Sequence, residues 1–318
     1  MGWLIVDGHQ DIAMSLLEDP TRDFAAPAPA GRALSLADAR RGGLAVILAT
    51  IFAPQGHGGN GSPTETAEKQ VRWYDELLHR HAEQIFRLES RGDLSLCAPG
   101  GPIGIVHLME GADPIRSVRE LARWVDRGVR IVAPAWNTPN RWCGGVEDGS
   151  GLTPDGVALI EEMGKLGVVP DLSHLTPAAF DSVLESHRGL VVASHSNAAA
   201  VHAHRRNLSD AQIRAIADRD GLVGIVLYRP FLGEGRVDLE TVIRHVDHIV
   251  GLVGPDHVGI GSDLDGGFTT DDAPEGIRSV ADLPRIGELL LRNGYSDDAV
   301  AKILGRSWMR VLEQALPA

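Results

Sequence analysis

Cysteine is nearly absent from this chain of 318 residues, which carries only Cys97 and Cys143. Two thiols cannot build a disulfide framework or a four-cysteine zinc site. Basic residues are the scarcer charge: 30 Lys and Arg against 43 Asp and Glu leave a formal net charge of −13. Nucleic acid and anionic membrane surfaces need dense Lys and Arg, so neither is an expected partner. No apolar run reaches the ~18 residues of a membrane span. No G-x-x-x-x-G-K phosphate loop occurs. Aromatic residues make up only 5%, but hydrophobic residues reach 43%, an ordinary globular proportion. A chain this long buries about three quarters of its unfolded surface, so its core needs no metal. A metal found here would serve chemistry. The start, MGWLIVDGHQD, has neither a basic region nor a long apolar stretch, and the expectation is a cytoplasmic chain beginning near its mature N-terminus.

What is present is alternation. Short aliphatic runs recur at 3–7, 44–50, 103–109, 129–135, 167–171, 190–194, 222–228 and 258–262, as buried parallel strands do. Helical patterns lie between most of them, at 64–84, 152–165, 176–187, 208–220, 238–253 and 297–315. The first carries Val71, Trp73, Tyr74, Leu77 and Leu78 at helical spacing, and the second opens on Thr-Pro and closes on Gly167. Eight strands alternating with helices predict an α/β fold, a (β/α)8 TIM-like barrel spanning 1–318 as one domain. A doubly wound open sheet is the alternative. The Gly/Pro-rich stretch 53–63 reads as an exposed loop near the barrel mouth.

Barrel enzymes carry their chemistry at the C-terminal strand ends. Strand 1 ends in Asp7-Gly8-His9-Gln10-Asp11, strand 3 in Glu110, and strand 5 in Asp171-Leu172-Ser173-His174. Strand 6 ends in Ser194-His195-Ser196 and strand 8 in Ser262-Asp263-Leu264-Asp265-Gly266. Five strand ends thus carry His, Asp or Glu, the ligand types of Zn²⁺ and its neighbours. His9 and Asp11 share a face by the period of two and can share a metal. Glu110 can bridge to a second metal served by His174 and His195. His107 lies inside an apolar run and reads as a core histidine. His79, His81, His187, His245 and His248 lie on helical patterns and read as solvated or supporting residues. Asp7 and Asp265 are open to a plainer reading as cap or turn carboxylates.

In this order and spacing, DGHQD at 7–11, Glu110-Gly111, NTP at 137–139 and DLSH at 171–174 make a pattern. SHSNAAAV at 194–201, RRN at 205–207 and GSDLDG at 261–266 complete it. The chain resembles the renal (membrane) dipeptidase family of zinc hydrolases, with an amidohydrolase-like (β/α)8 barrel. The resemblance implies two Zn²⁺ per chain, with His9 and Asp11 on one, His174 and His195 on the other, and Glu110 bridging. It implies that Asp263 is the catalytic acid–base beside a metal-bridging hydroxide. It also implies that Arg206, with Arg205 as the alternative, binds the substrate carboxylate, and that Tyr228 lines the pocket.

One departure stands out. The family's histidine after strand 4 is replaced by Trp136, and GADPI follows Glu110 in place of Gly-Gly-His. An indole donates one N–H but exchanges no proton near neutral pH. Three readings follow: a zinc dipeptidase, an amidohydrolase on another small amide such as an N-acyl amino acid or lactam, and a metal-binding module without turnover. Retention of Asp263 argues against the third. The expected partner is a small amide or dipeptide, and a homodimer is compatible with this reading.

Overall fold

The computed structural model describes residues 2–56 and 61–318. Eight strands form one parallel sheet: β1 Ile5–Gln10, β2 Leu44–Phe52, β3 Ile85–Arg87, β4 Ile103–Glu110, β5 Val129–Val132, β6 Val169–Pro170, β7 Val223–Ile225 and β8 Val258–Ile260. Their order is β6-β5-β4-β2-β1-β8-β7, with β3 added beside β4. The alternation of strand and helix therefore produced what it predicted, a parallel α/β fold.

Strand ends differ from expectation. The first strand runs three residues further, to Gln10, so His9 lies within it. Ile85–Arg87 was not expected, because three residues carry no periodicity. Residues 190–194 form no extended ladder. Instead Val192 pairs with Asp171 and Ala193 pairs with Val223, one bridge on each side. The Val192 N–H donates to Pro170 O at 3.0 Å and the Ala193 N–H to Leu222 O at 3.0 Å. This short segment thus connects the two ends of the strand path. Backbones crowd there: a Cβ at Gly261 would lie 1.7 Å from Ser194 O, so only glycine fits.

Helices stand where the patterns placed them, at Pro63–Arg80, Pro154–Leu166, Pro177–Ser186, Asp210–Ala217 and Leu239–Val253. Their starts are capped as the sequence suggests. Ser62 and Glu65 form a reciprocal capping box, and Thr153 accepts from Gly156 N–H. Gly167 ends its helix at φ 69°. The pattern at 297–315 is not one helix: a π-helical turn at Lys302–Arg306 separates Asp297–Ala301 from Ser307–Ala315. Short helices at Ile12–Glu18, Leu36–Arg41, Leu121–Asp126, Arg229–Leu232 and Pro284–Arg292 were not expected. The stretch 53–63 was expected as a loop; residues 57–60 of it lie outside the described residues.

The core has two layers. One packs helices against the sheet; the other lies inside its curve and contains Val6, Val46, Leu48, Val106, Leu108, Ile131 and Trp308. Trp308 presses on β1 and β8: a Cβ at Gly8 would fall 2.2 Å from its ring. Its indole N–H donates to Ile260 O at 2.8 Å. No helix among the described residues is long and apolar enough to cross a membrane.

Candidate metal centre

His9, Asp11, Glu110, His174, His195 and Asp263 come together from five separate chain segments. Among the described residues, Glu110, His174 and His195 form one set whose donor atoms lie within 4.8 Å of one another. His9, Asp11 and Asp263 form a second such set. Glu110 lies between them: Oε1 is 3.0 Å from His174 Nε2 and 3.5 Å from His195 Nε2, and Oε2 is 3.5 Å from His9 Nε2. His9, Asp11, Glu110, His174 and His195 are buried, and Asp263 is partly exposed.

Local backbone explains the convergence. Three steps along β1 from Asp7 to Gln10 match two along β2 from Ile47 to Ala49, a bulge at Gly8–His9. Bulges re-aim side chains beside active sites. His174 and Asp263 both have positive φ, 67° and 58°, a costly conformation for a residue with a side chain. The Asp263 N–H is tied to His9 O at 3.1 Å. Asp7, read as a plain turn carboxylate, is a buried fastener. It accepts from the Ser262 N–H at 2.8 Å, the Ser262 hydroxyl and Gln10 Nε2 at 2.7 Å. Asp11 accepts from the Thr50 hydroxyl. Behind them Tyr74 donates to Thr50 O at 2.9 Å and accepts from the Ala13 N–H at 3.1 Å.

The electrostatics are those of acids crowded out of water. Burial pushes Glu110 up to about 8. Burial, then the Glu110 charge, pushes Asp11 up to about 7. Burial holds Asp263 well above the usual carboxylate range. His174 and His195 are held well below theirs, chiefly by burial, so both rings are neutral and can offer a lone pair.

This donor set fits a divalent cation. His9 Nε2 is buried with no hydrogen-bond partner. His174 Nε2 and His195 Nε2 face each other at 2.7 Å. Three carboxylates stand around these nitrogens, a hard-and-borderline mixture suited to Zn²⁺. His174 Nδ1 lies 2.7 Å from Asn137 Oδ1, so its N–H points away from the centre and its lone pair toward it. The sequence pattern contained Asn137, but nothing in its spacing disclosed this role.

A cavity of about 230 Å³ opens over the cluster. Trp136, Tyr228 and Arg206 all line it, with Phe52, Phe231, Phe268 and Met14. Arg206 is buried, and burial lowers it to about 10. Its guanidinium lies 5.3 Å from the Phe231 ring, and Nη2 is 3.0 Å from His174 Nε2. Arg205, the alternative, is exposed and pairs with Glu147 at 3.8 Å. The Trp136 ring meets Phe52 edge-on at 5.3 Å and lies 5.9 Å from His174. Of the aromatic wall, Trp136 and Tyr228 were named from the sequence, and Phe52, Phe231 and Phe268 were not.

The histidines set aside as supporting behave so in part. His107 is buried, held down to about 3 chiefly by burial, and packs on Tyr74 at 4.8 Å. His245 is fully buried, with Nδ1 accepting from Ala198 N–H at 3.1 Å. His79 is exposed and His187 buried. Asp265 is no turn carboxylate: it is buried against Arg22 at 3.1 Å.

Comparison with known proteins agrees with this geometry. The family model described as membrane dipeptidase, peptidase family M19, matches residues 2–317. A protein of unknown function encoded beside pqqA in Klebsiella pneumoniae is 34% identical over 267 residues, covering 80% of this chain and 97% of that one. An uncharacterised dipeptidase of Schizosaccharomyces pombe is 33% identical over 198 residues, 60% of this chain and 48% of that one. A metallopeptidase of family M19, dipeptidase AC, superposes with a TM-score of 0.91 at 27% identity, covering 100% of both chains. A Rhodobacter sphaeroides metallopeptidase, solved with a phosphinate mimic of the dipeptide L-Ala-D-Ala, superposes at 0.90 with 26% identity, covering 99% and 100%.

Proposed function

Given that the chain belongs to the membrane dipeptidase family, peptidase family M19, and is a metallo-dipeptidase, we propose that it holds two Zn²⁺ ions. We further propose that it cleaves the amide bond of dipeptides or similarly small amides bearing a free carboxylate. The observation that carries this reading is the position of Glu110, with one carboxylate oxygen toward His9 and the other toward His174 and His195. His9 and Asp11 would hold one ion, His174 and His195 the other, and Glu110 both. When bound, such ions polarise a carbonyl and make water a nucleophile at neutral pH.

The remaining work falls to side chains. Asp263, at the cavity edge of the cluster, takes the proton of the attacking water at a carboxylate oxygen and delivers it to the leaving amine. Its upward shift makes the carboxylate a stronger base, which suits the group that must accept the water's proton. Arg206 holds the terminal carboxylate of the substrate with a planar fork, braced by Phe231. Trp136 and Tyr228 shape the wall. The likeness to the protein bound to an L-Ala-D-Ala mimic supports a dipeptide-sized substrate. An amidohydrolase acting on N-acyl amino acids or lactams is the second reading, favoured by Trp136, whose indole narrows the space over His174. We place the enzyme in the cytoplasm as a (β/α)8 barrel, with segment 190–194 as its sixth stave.

Purified protein supplemented with zinc, analysed for metal and assayed on dipeptides and N-acyl amino acids, tests this. Two zinc ions and turnover of dipeptides are expected. Glu110→Gln should lose metal at both positions, because a neutral amide cannot balance two cations. A chain that takes up no transition metal overturns the reading.

A further inference from the structure

A third set of metal-type donors, His9, Asp171 and His195, also lies within 4.8 Å. Its centre is filled by protein: the Ser194 hydroxyl oxygen is 3.1 Å from His9 Nδ1 and 2.8 Å from His195 Nδ1, and it donates to Asp171 Oδ2. We propose that Ser194, anchored by Asp171, is a positioning residue that sets the tautomer of two metal-binding histidines at once. The inference rests on the two-metal reading above.

The argument is a count of hydrogens. A serine hydroxyl has one O–H and two lone pairs. Its hydrogen goes to the Asp171 carboxylate, since a hydrogen bond to a charged acceptor is about twice as strong as a neutral one. Asp171 is fixed for that purpose: its Oδ1 accepts from the Ser173 N–H at 3.0 Å and the Ser194 N–H at 2.9 Å. Only lone pairs remain on Ser194 Oγ to face the two imidazoles. Both Nδ1 atoms must therefore carry the hydrogen. Both Nε2 atoms are then lone pairs, and these are the atoms that face Glu110. Asp171, Ser194, His9 and His195 are all at most 1% exposed, so water cannot take over the role. His174 stands outside this arrangement, with Asn137 as its own acceptor. One hydroxyl thus serves one histidine on each side of Glu110, and the orientation of the two sites is linked through it.

Asp171→Asn tests this with little change of shape. Its amide oxygen can stay on the two backbone N–H groups, which turns the NH₂ toward Ser194 Oγ. The hydroxyl must then give its hydrogen to one imidazole, moving that ring's own hydrogen to Nε2. Imidazole ¹⁵N spectra of the wild-type chain should show Nδ1–H at both His9 and His195, and Asp171→Asn should convert one of them. In chelator competition, zinc should bind Asp171→Asn about 10–100-fold more weakly at one site. Ser194→Ala should weaken both sites, and Asn137→Ala only that of His174. A wild-type chain that binds no zinc would refute the two-metal reading, yet its spectra would still decide the tautomers. Nε2–H at either histidine in the wild type overturns the inference. So does wild-type zinc affinity at both sites in folded Asp171→Asn and Ser194→Ala.

Discussion

At the residue scale, Asp263 and Trp136 carry the reading of catalysis. Asp263 sits at φ 58°, a conformation asparagine tolerates as well as aspartate. Asp263→Asn should therefore fold and keep its zinc while losing the proton acceptor. A fall in kcat of roughly 10²–10⁴-fold is expected, the usual contribution of acid–base catalysis; full activity at full zinc occupancy would move the role to another group. Trp136 stands 5.9 Å from His174, and we propose that a histidine in its place would supply a donor for the developing oxyanion. One such donor is typically worth ~2.7–4 kcal/mol, about 10²–10³ in kcat. Trp136→His should raise turnover of plain dipeptides such as Ala-Ala. Strong wild-type turnover that this substitution leaves unchanged or lowers would show that the indole costs nothing. These residues were legible because each follows a strand or a motif. Phe52, Phe231 and Phe268 were not, because an aromatic on a loop has no signal until the loop is folded over the site.

At the scale of elements, the site depends on how segment 261–266 is held. Asp7 pins it to β1 through Ser262, and Asp265 pins it to the segment after the Ile12–Glu18 helix through Arg22. Arg22 also donates to Ser15 Oγ at 2.7 Å and to Leu34 O, and its side chain is only 2% exposed. Removing one partner of a buried pair leaves the other charged and unsolvated, which costs about 3–5 kcal/mol. Arg22→Ala should lower the unfolding free energy from urea denaturation accordingly; a loss under about 1 kcal/mol would mean that water reaches Asp265. The strands β2 and β4 were read within two residues of their ends, since long buried ladders are continuous aliphatic runs. The segment 190–194 was read as a strand and yields only two bridges. Its composition is strand-like, but its length of pairing is decided by neighbours that also end within a few residues.

At the scale of the whole molecule, the raised acids and lowered histidines give stability a definite pH dependence. Glu110 titrates from 4.5 in an open chain to about 8 when folded, and Asp11 from 3.8 to about 7. The folded state thus binds more protons than the unfolded one across that range, and stability falls as pH rises through it. His174 and His195 act oppositely, but only below their ordinary 6.5. From pH 6.5 to about 8 the acids act alone, so the Tm of the metal-free chain should decline there. Zinc should raise Tm, by about 2.7 kcal/mol of stability at 100-fold its Kd, and more at pH 8 than at 6.5. An equal zinc effect at both pH values would separate these acids from metal binding. The sequence by itself determined the parallel α/β class and picked out the candidate ligand residues, because both are written in local order: aliphatic runs, and polar residues directly after them. It did not reveal the Gly8–His9 bulge, the Ser194 node between two histidines, or the burial of Asp7 and Asp265. Those depend on distances between segments remote along the chain, and burial, hydrogen-bond pairing and charge coupling acquire values only when packing brings such segments together.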